Sequence, residues 1–215
     1  MPDQARTLLI LVRHAATDET GPVLSGRRPI ELSEAGRHQA AALARRLADL
    51  PLRAVYASPV QRAAQTARAI ASPHGLEVQV LEGVLEADYG DWSGRSLKDL
   101  AGTELWRQVQ IAPSQARFPN GEAIAEMQER ASLALQQVVA GHPGEIVAVV
   151  SHADVIKAAV AQFLGVHLDH FQRLAISPAS LTVLAFGKDG PVLVKLNDTG
   201  QLAELRPEPE EAPSD

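Results

Sequence analysis

The chain has 215 residues, of which 46% are apolar and 21% are charged, an ordinary balance for one globular domain. It contains no cysteine, which excludes disulfide bonds, thiolate metal ligands and a cysteine nucleophile. The formal net charge of −6 argues against a nucleic-acid-binding surface. No apolar run approaches the roughly 20 residues that span a bilayer. Together with the absence of cysteine, which fits a reducing compartment, these features lead us to expect a cytoplasmic protein with neither a nucleic-acid nor a membrane partner.

Short apolar strands alternate with helices along most of the chain. The clearest strands, 8–12 and 146–150, are continuous apolar runs of the kind that is buried on both faces of a parallel sheet. Further strands are expected at 53–57, 77–81, 181–186 and 192–196, and helices at 34–50, 60–71, 96–101, 104–110, 122–140 and 155–164. This alternation predicts an α/β fold, a single three-layer α/β/α domain with a mainly parallel sheet.

Local signals mark the ends of several elements. Ser33 is placed to cap the first helix, and Ser58-Pro59 is typical of an N-cap followed by proline at the first helical position. From Arg206 onward the sequence is rich in Pro and Glu, which predicts a disordered acidic tail over 206–215. The folded domain is therefore expected to occupy 1–205.

Five polar residues follow the carboxyl ends of predicted strands, where open α/β sheets hold their ligands. They are Arg13, His14, Arg62, Glu86 and His152. Because the carboxyl ends of parallel strands share one edge of the sheet, we expect these five side chains to line one pocket.

Two guanidinium groups, two imidazoles and a carboxyl group suit a phosphoryl group. The fork of an arginine matches phosphate oxygens, and helix N-termini favour anions. A neutral imidazole can attack phosphorus to form a covalent intermediate, and a carboxylic acid at Glu86 can protonate the leaving alkoxide. Two arginines and a second histidine can spread the transition-state charge, so we expect neither a metal nor another cofactor.

The chain resembles the histidine phosphatase superfamily, the phosphoglycerate mutase-like proteins, in five segments that occur in order within residues 8–196. The segments are RHAAT at 13–17, SPVQRAAQTA at 58–67, Glu86 with GDWSG at 90–94, PNGE at 119–122 and VVSH at 149–152. The resemblance implies that His14 is the nucleophile and that Glu86 is the proton donor. It implies phosphoryl or substrate contacts from Arg13, Thr17, Ser25, Arg62, His152 and the backbone N–H of Ala153.

The chain departs from the family pattern at two positions. Ala15 stands where glycine usually follows the nucleophile, which restricts the backbone to negative φ and could narrow the pocket. Thr20 stands where family members often carry asparagine, which puts one phosphate-positioning contact in doubt. We expect the phosphate site to survive both changes.

We expect the domain 1–205 to hydrolyse a small-molecule phosphate ester through a phosphohistidine. A phosphoglycerate mutase-type phosphomutase is the first alternative, disfavoured because segment 86–119 is short and leaves less chain to enclose a bisphosphate. A non-catalytic phospholigand-binding protein is the second, disfavoured because a binder has no use for both nucleophile and acid. A metal-dependent hydrolase would need a carboxylate cluster that these residues lack.

Other polar and aromatic residues are expected to be structural. His142 is expected to be solvated, the His-x-x-His sequence at 167–170 to be a surface cluster rather than a metal site, and Trp92 to anchor its loop by packing. The pair Arg27-Arg28 could steer an anionic substrate or simply be solvated. The edge 192–196 of the predicted hairpin leaves a homodimer open.

Overall fold

The structure, a computed structural model, describes residues 6–200 and contains one six-stranded sheet. The strands are β1 (Thr7–Arg13), β2 (Leu52–Ala57), β3 (Val78–Val80), β4 (Ile146–Ser151), β5 (Leu181–Gly187) and β6 (Gly190–Asp198). The α-helices are α1 (Glu34–Leu47), α2 (Gln61–Ala71), α3 (Leu97–Leu100), α4 (Glu104–Ile111), α5 (Ile124–Gly141) and α6 (Ala153–Phe163). The predicted tail, 206–215, lies outside the described residues.

The sheet has the order β3-β2-β4-β1-β5-β6, and only β5 runs against the other strands. The two apolar strands β1 and β4 are central neighbours, paired in parallel from Leu8 with Ile146 to Arg13 with Ser151. This register places His14 and His152, the residues that follow the two strands, side by side at the carboxyl edge. The prediction of an α/β fold with a mainly parallel sheet is confirmed.

Helices cover both faces of the sheet. On one face α1 and α2 pack with each other and cover the side chains of Ile10 and Val12. On the other face α5 and α6 pack with each other and cover Leu9 and Leu11. Successive side chains of a strand point to opposite faces, so the unbroken apolar run of β1 contributes to two cores.

The two expected helix caps have different outcomes. Ser33 caps α1, with its hydroxyl oxygen accepting a hydrogen bond from the backbone N–H of Gly36 at 3.0 Å. Ser58 does not cap α2, which begins two residues further on with Val60 as N-cap. The Ser58 hydroxyl lies 2.8 Å from Nε2 of His152, and it also accepts a longer hydrogen bond, 3.3 Å, from the backbone N–H of Val60 just before the helix.

The outer surface carries apolar residues on the edge strand β6, where Val192, Val194 and Leu196 are exposed. The homodimer that this edge leaves open stays a prediction. Within residues 6–200, no helix combines the length and the apolar character that crossing a membrane requires.

Candidate active site

The five residues expected in one pocket do meet at the carboxyl edge of the sheet. His14, Arg62, Glu86 and His152 are each at most 8% exposed. His14 follows β1, His152 follows β4, Arg62 lies in the first turn of α2 after β2, and Glu86 lies in the irregular segment after β3. The parallel topology therefore brings together side chains that are far apart in sequence.

His14 is held as a neutral imidazole with one defined tautomer. Its Nδ1 lies 2.8 Å from the carbonyl oxygen of Ala15, which can only accept, so Nδ1 carries the proton. Nε2 therefore presents its lone pair, which accepts a hydrogen bond from Nε of Arg62 at 3.0 Å. Burial, reinforced by the Arg62 charge, lowers the pKa of His14 to about 3. The unprotonated nitrogen Nε2 of His14 can therefore act as a nucleophile over a wide pH range.

Arg62 is the hub of the site. Its Nη2 donates to the carbonyl oxygen of Gly26 at 2.8 Å and lies 3.4 Å from Oε2 of Glu86 and 3.2 Å from Nδ1 of His152. Its Nη1 is buried and has no hydrogen-bond partner among the described residues, and the same holds for Nε of Arg13. Buried donors of this kind are normally paired, so these two nitrogens require a ligand acceptor or an equivalent partner.

His152 is also neutral, and Ser58 defines its tautomer. Because Arg62 can only donate, Nδ1 of His152 must accept from it, and the ring proton lies on Nε2. Nε2 donates to the Ser58 hydroxyl at 2.8 Å. Burial, with the charge of Arg62 acting in the same direction, lowers the pKa of His152 well below its usual value.

The carboxyl group of Glu86 stays partly protonated near neutral pH. Burial raises its pKa to about 7, against the opposing effect of Arg62 and with the aid of the Asp154 charge. The backbone of this residue is clamped as well, because its carbonyl oxygen accepts from Nε of Arg27 at 3.0 Å and from Nη2 of Arg130 at 3.2 Å. A buried acid with a pKa near the working pH is suited to proton donation.

The secondary candidates line the same cavity, whose volume is about 390 Å³. Thr17 and Ser25 lie on its wall, and the Ser25 hydroxyl donates to Oε2 of Glu19 at 2.8 Å. Ala153 lies at the first position of α6, where the backbone N–H groups of a helix favour anions. Seven of the eight predicted site residues therefore border one cavity. The eighth, His152, does not line it but contacts Arg62 through Nδ1 at 3.2 Å.

The two departures from the family pattern are accommodated. Ala15 is fully buried, does not have a positive φ, and packs in a small apolar cluster with Leu32 and Ala40 rather than on the cavity wall. The expectation that its methyl group could narrow the pocket is therefore wrong. Thr20 lines the cavity, and its hydroxyl oxygen accepts from the backbone N–H of Thr17 at 2.8 Å, which fixes the loop after the nucleophile.

Sequence reasoning missed part of the cavity wall. Asp154, Lys157 and Gln172 also line the cavity, and Lys157 bonds to both of the others. Lys157 lies one helical turn after Ala153 on α6, and the sequence does not set it apart from other polar positions of that helix. Gln172 lies in a short 3-10 helix, 168–173, with no pattern that marks it.

Other residues considered in the sequence have structural contacts. Trp92 is buried against Phe118, as expected of a packing anchor. His142 is not simply solvated, because its Nε2 lies 2.9 Å from the Tyr56 hydroxyl. Arg28 pairs with Glu19 at 2.9 Å.

No cluster of three potential His, Asp or Glu metal ligands occurs in the described part of the chain, and 167–170 forms none.

Comparison with known proteins places these features in a family. The model of the histidine phosphatase superfamily (branch 1) matches residues 9–199. Phosphoserine phosphatase 1 of Hydrogenobacter thermophilus is 35% identical over 201 residues, which cover 92% of this chain and 95% of the relative. A probable phosphoglycerate mutase of Erwinia tasmaniensis is 29% identical over 175 residues, which cover 80% of this chain and 81% of the relative.

Solved structures agree. A mutant phosphoserine phosphatase from Entamoeba histolytica in complex with phosphoserine has a TM-score of 0.82 at 26% identity, covering 90% of this chain and 98% of that one. A mycobacterial glucosyl-3-phosphoglycerate phosphatase has a TM-score of 0.81 at 26% identity, covering 90% of this chain and 100% of that one. The chain belongs to the histidine phosphatase superfamily, and the prediction of a phosphomonoester-hydrolysing enzyme of this family is confirmed.

Proposed function

We propose that this histidine phosphatase hydrolyses small phosphomonoesters through a phosphohistidine formed at Nε2 of His14. One observation carries the proposal. The proton of His14 is committed to the Ala15 carbonyl, so the lone pair on Nε2 faces a guanidinium group in a buried pocket. A nucleophile beside a cation is the arrangement that attack on a phosphoryl group requires.

The phosphoryl oxygens bind to the arginines and to the start of α6. The unpartnered nitrogens Arg13 Nε and Arg62 Nη1 supply donors, and the N–H of Ala153 supplies another. When the phosphoryl group enters, Nε of Arg62 exchanges its bond to His14 for a phosphoryl oxygen, which releases the His14 lone pair. His152 contributes a further donor once its ring proton moves to Nδ1, an exchange that the Ser58 hydroxyl allows because it can donate as well as accept.

In the first step, Nε2 of His14 forms a bond to phosphorus while the bond from phosphorus to the leaving oxygen breaks. The carboxyl group of Glu86 gives its proton to that oxygen, and the alcohol departs. In the second step, water attacks phosphorus and gives a proton to the Glu86 carboxylate. The bond to Nε2 breaks and inorganic phosphate leaves, which restores the starting enzyme.

The relatives support small, phosphorylated metabolites as the substrate class. Two of them are phosphatases named for phosphoserine and for glucosyl-3-phosphoglycerate. The cavity of about 390 Å³ falls within the range of small-molecule sites. We assign the chain a small phosphate ester of this kind.

The test is mass spectrometry of protein trapped at alkaline pH after brief reaction with an aryl phosphate. We expect a phosphate adduct on His14 together with released inorganic phosphate, without a bisphosphate primer. In the His14→Ala variant we expect no adduct and a rate of phosphate release lower by at least about 10⁴-fold. The exposed residue His170 gives the matched control, and His170→Ala should keep both signals.

Two results would contradict the proposal. Phosphate release by the His14→Ala variant at the wild-type rate would remove the assigned nucleophile. A requirement for a bisphosphate primer would favour a phosphomutase instead.

A further inference from the structure

A lysine that the phosphate chemistry does not use lies on the cavity wall. Lys157 is on α6, and its side chain is only 15% exposed. Its ammonium nitrogen lies 3.2 Å from Oδ1 of Asp154, 3.0 Å from Oε1 of Gln172 and 5.8 Å from the ring centroid of Phe171. The ammonium group is therefore fixed in position by three neighbours from two elements.

The simplest reading, an ion pair that only stabilises α6, does not account for this placement. A long side chain loses rotamer freedom when it is buried, and an ion pair within one turn of α6 needs no contact with a second element. Lys157 nevertheless reaches across to Gln172 and faces a cavity rather than bulk water. An ammonium group has three N–H donors, and the contacts with Asp154 and Gln172 use two of them.

The charge of the cavity also distinguishes this lysine. Among the described residues that line the cavity, the other cations are Arg13 and Arg62, both assigned above to the phosphoryl group. Lys157 lies four residues after Ala153, which is about 6 Å along the helix axis. A ligand whose phosphoryl group contacts Ala153 would place the far side of a short leaving group beside Lys157.

We propose that Lys157 is a specificity-determining residue that binds a carboxylate on the leaving group of the substrate. The substrate class is then the phosphomonoester of a small hydroxy acid or hydroxy amino acid. The third N–H of Lys157 donates to the carboxylate, while Asp154 and Gln172 hold the ammonium group in place. This inference rests on the proposed phosphatase function and specifies its substrate.

The experiment compares two esters that differ only in the carboxylate. O-phosphoserine carries it and O-phosphoethanolamine lacks it, and an aryl phosphate serves as a general substrate. We expect wild type to prefer phosphoserine by at least about tenfold in kcat/KM, as measured by phosphate release. Lys157→Met should lower kcat/KM for phosphoserine by about 10- to 100-fold, mainly through KM. The same variant should change kcat/KM for the other two esters by less than about threefold. Lys157→Arg should keep most of the preference for phosphoserine.

The matched control is Lys98→Met, which replaces an exposed lysine outside the cavity and should leave all three substrates unchanged. Equal losses on all substrates in Lys157→Met would show a merely structural lysine and overturn the inference. The inference would also be overturned if wild type hydrolysed the aryl phosphate but did not prefer phosphoserine to phosphoethanolamine. Absence of turnover on every ester, with no adduct on His14, would instead overturn the proposed function and this inference with it.

Discussion

The two ends of the cavity are built differently. At the phosphate end, His14 and His152 are buried and each is hydrogen-bonded to the buried Arg62. The histidines follow the ends of sheet strands, and Arg62 lies on the helix after another strand. At the leaving-group end, Lys157 and Gln172 are half-buried, extend from α6 and a 3-10 helix, and reach the cavity through long side chains. One end is set by the backbone of the sheet, and the other is set by side chains.

This difference separates chemistry from selectivity. The pairing of β1 with β4 fixes the relative positions of the two histidines, and such a rigid arrangement supports interactions made in the transition state. Long side chains at the other end can be exchanged without disturbing the sheet. Substitutions at the phosphate end should therefore act on kcat for every substrate, and those at the leaving-group end on KM for particular ones.

Glu86 offers the sharpest test of this division, because it is buried at the phosphate end of the cavity yet acts on the leaving group. Its pKa of about 7 predicts that the rate falls as pH rises above 7, since the acid loses its proton, and the His14 pKa of about 3 predicts a second loss below pH 3. Glu86→Gln should lower kcat for an alkyl phosphate by about 10² to 10⁴-fold and abolish the alkaline decline. For an aryl phosphate, whose leaving group needs little protonation, the rate of phosphohistidine formation should fall much less, while the second step still depends on Glu86.

The measurement is the pH dependence of kcat with both esters, for wild type and Glu86→Gln. Glu82→Gln, an exposed carboxyl in the same segment, is the control and should match wild type. The rate of phosphohistidine formation is measured alongside kcat, and equal losses of that rate with the alkyl and aryl esters would contradict a role for Glu86 as the proton donor.

The sequence predicted the phosphate end far better than the leaving-group end. Continuous apolar runs end just before Arg13, His14 and His152. The predicted strands therefore locate these residues without knowledge of the tertiary structure. Glu86 lies in an irregular segment, and the family resemblance rather than any periodicity identified it. Lys157 looks like an ordinary polar position of an amphipathic helix, because the contact that distinguishes it comes from an element without a pattern.

Side-chain competition explains the error at Ser58. Serine before proline favours a cap when only neighbouring residues are considered. In the fold, the shortest contact of the hydroxyl group, 2.8 Å, is with a buried imidazole that follows another strand, and its bond to the backbone N–H of Val60 is longer, at 3.3 Å. Local rules fail where a distant buried group requires the same side chain.

Arg130 tests whether the phosphate end also depends on side chains further out. It donates to the carbonyl oxygens of Gly83 and Leu85, both at 2.8 Å, and to that of Glu86, and it pairs with Glu122 at 2.7 Å. Arg130→Met leaves these acceptors with fewer partners, so we expect a loss of about 2 to 3 kcal/mol in the free energy of unfolding. We expect kcat to fall by about tenfold as the Glu86 segment loosens.

The measurements are urea unfolding and kcat with an alkyl phosphate. Arg107→Met removes a fully exposed arginine that pairs with Glu104. As the matched control it should leave both kcat and the free energy of unfolding close to their wild-type values, because an exposed ion pair contributes little to stability. A wild-type kcat in Arg130→Met would mean that the backbone alone positions Glu86.

The smallest effect is expected at Ala15, where the chain departs from the family. Because the Ala15 methyl group packs against Leu32 and Ala40, restoring the usual glycine removes buried apolar contacts and adds backbone freedom to the unfolded chain. Ala15→Gly should therefore lower the free energy of unfolding by about 1 kcal/mol. It should change kcat and KM by less than about twofold, since Ala15 does not border the cavity. A tenfold gain in kcat with the glycine would show that the methyl group strains the nucleophile loop. If Ala15→Gly lowers stability but leaves activity unchanged, a residue next to His14 in the chain has no part in catalysis. The division between the two ends of the cavity then depends on which side chains face the cavity, not on distance along the chain.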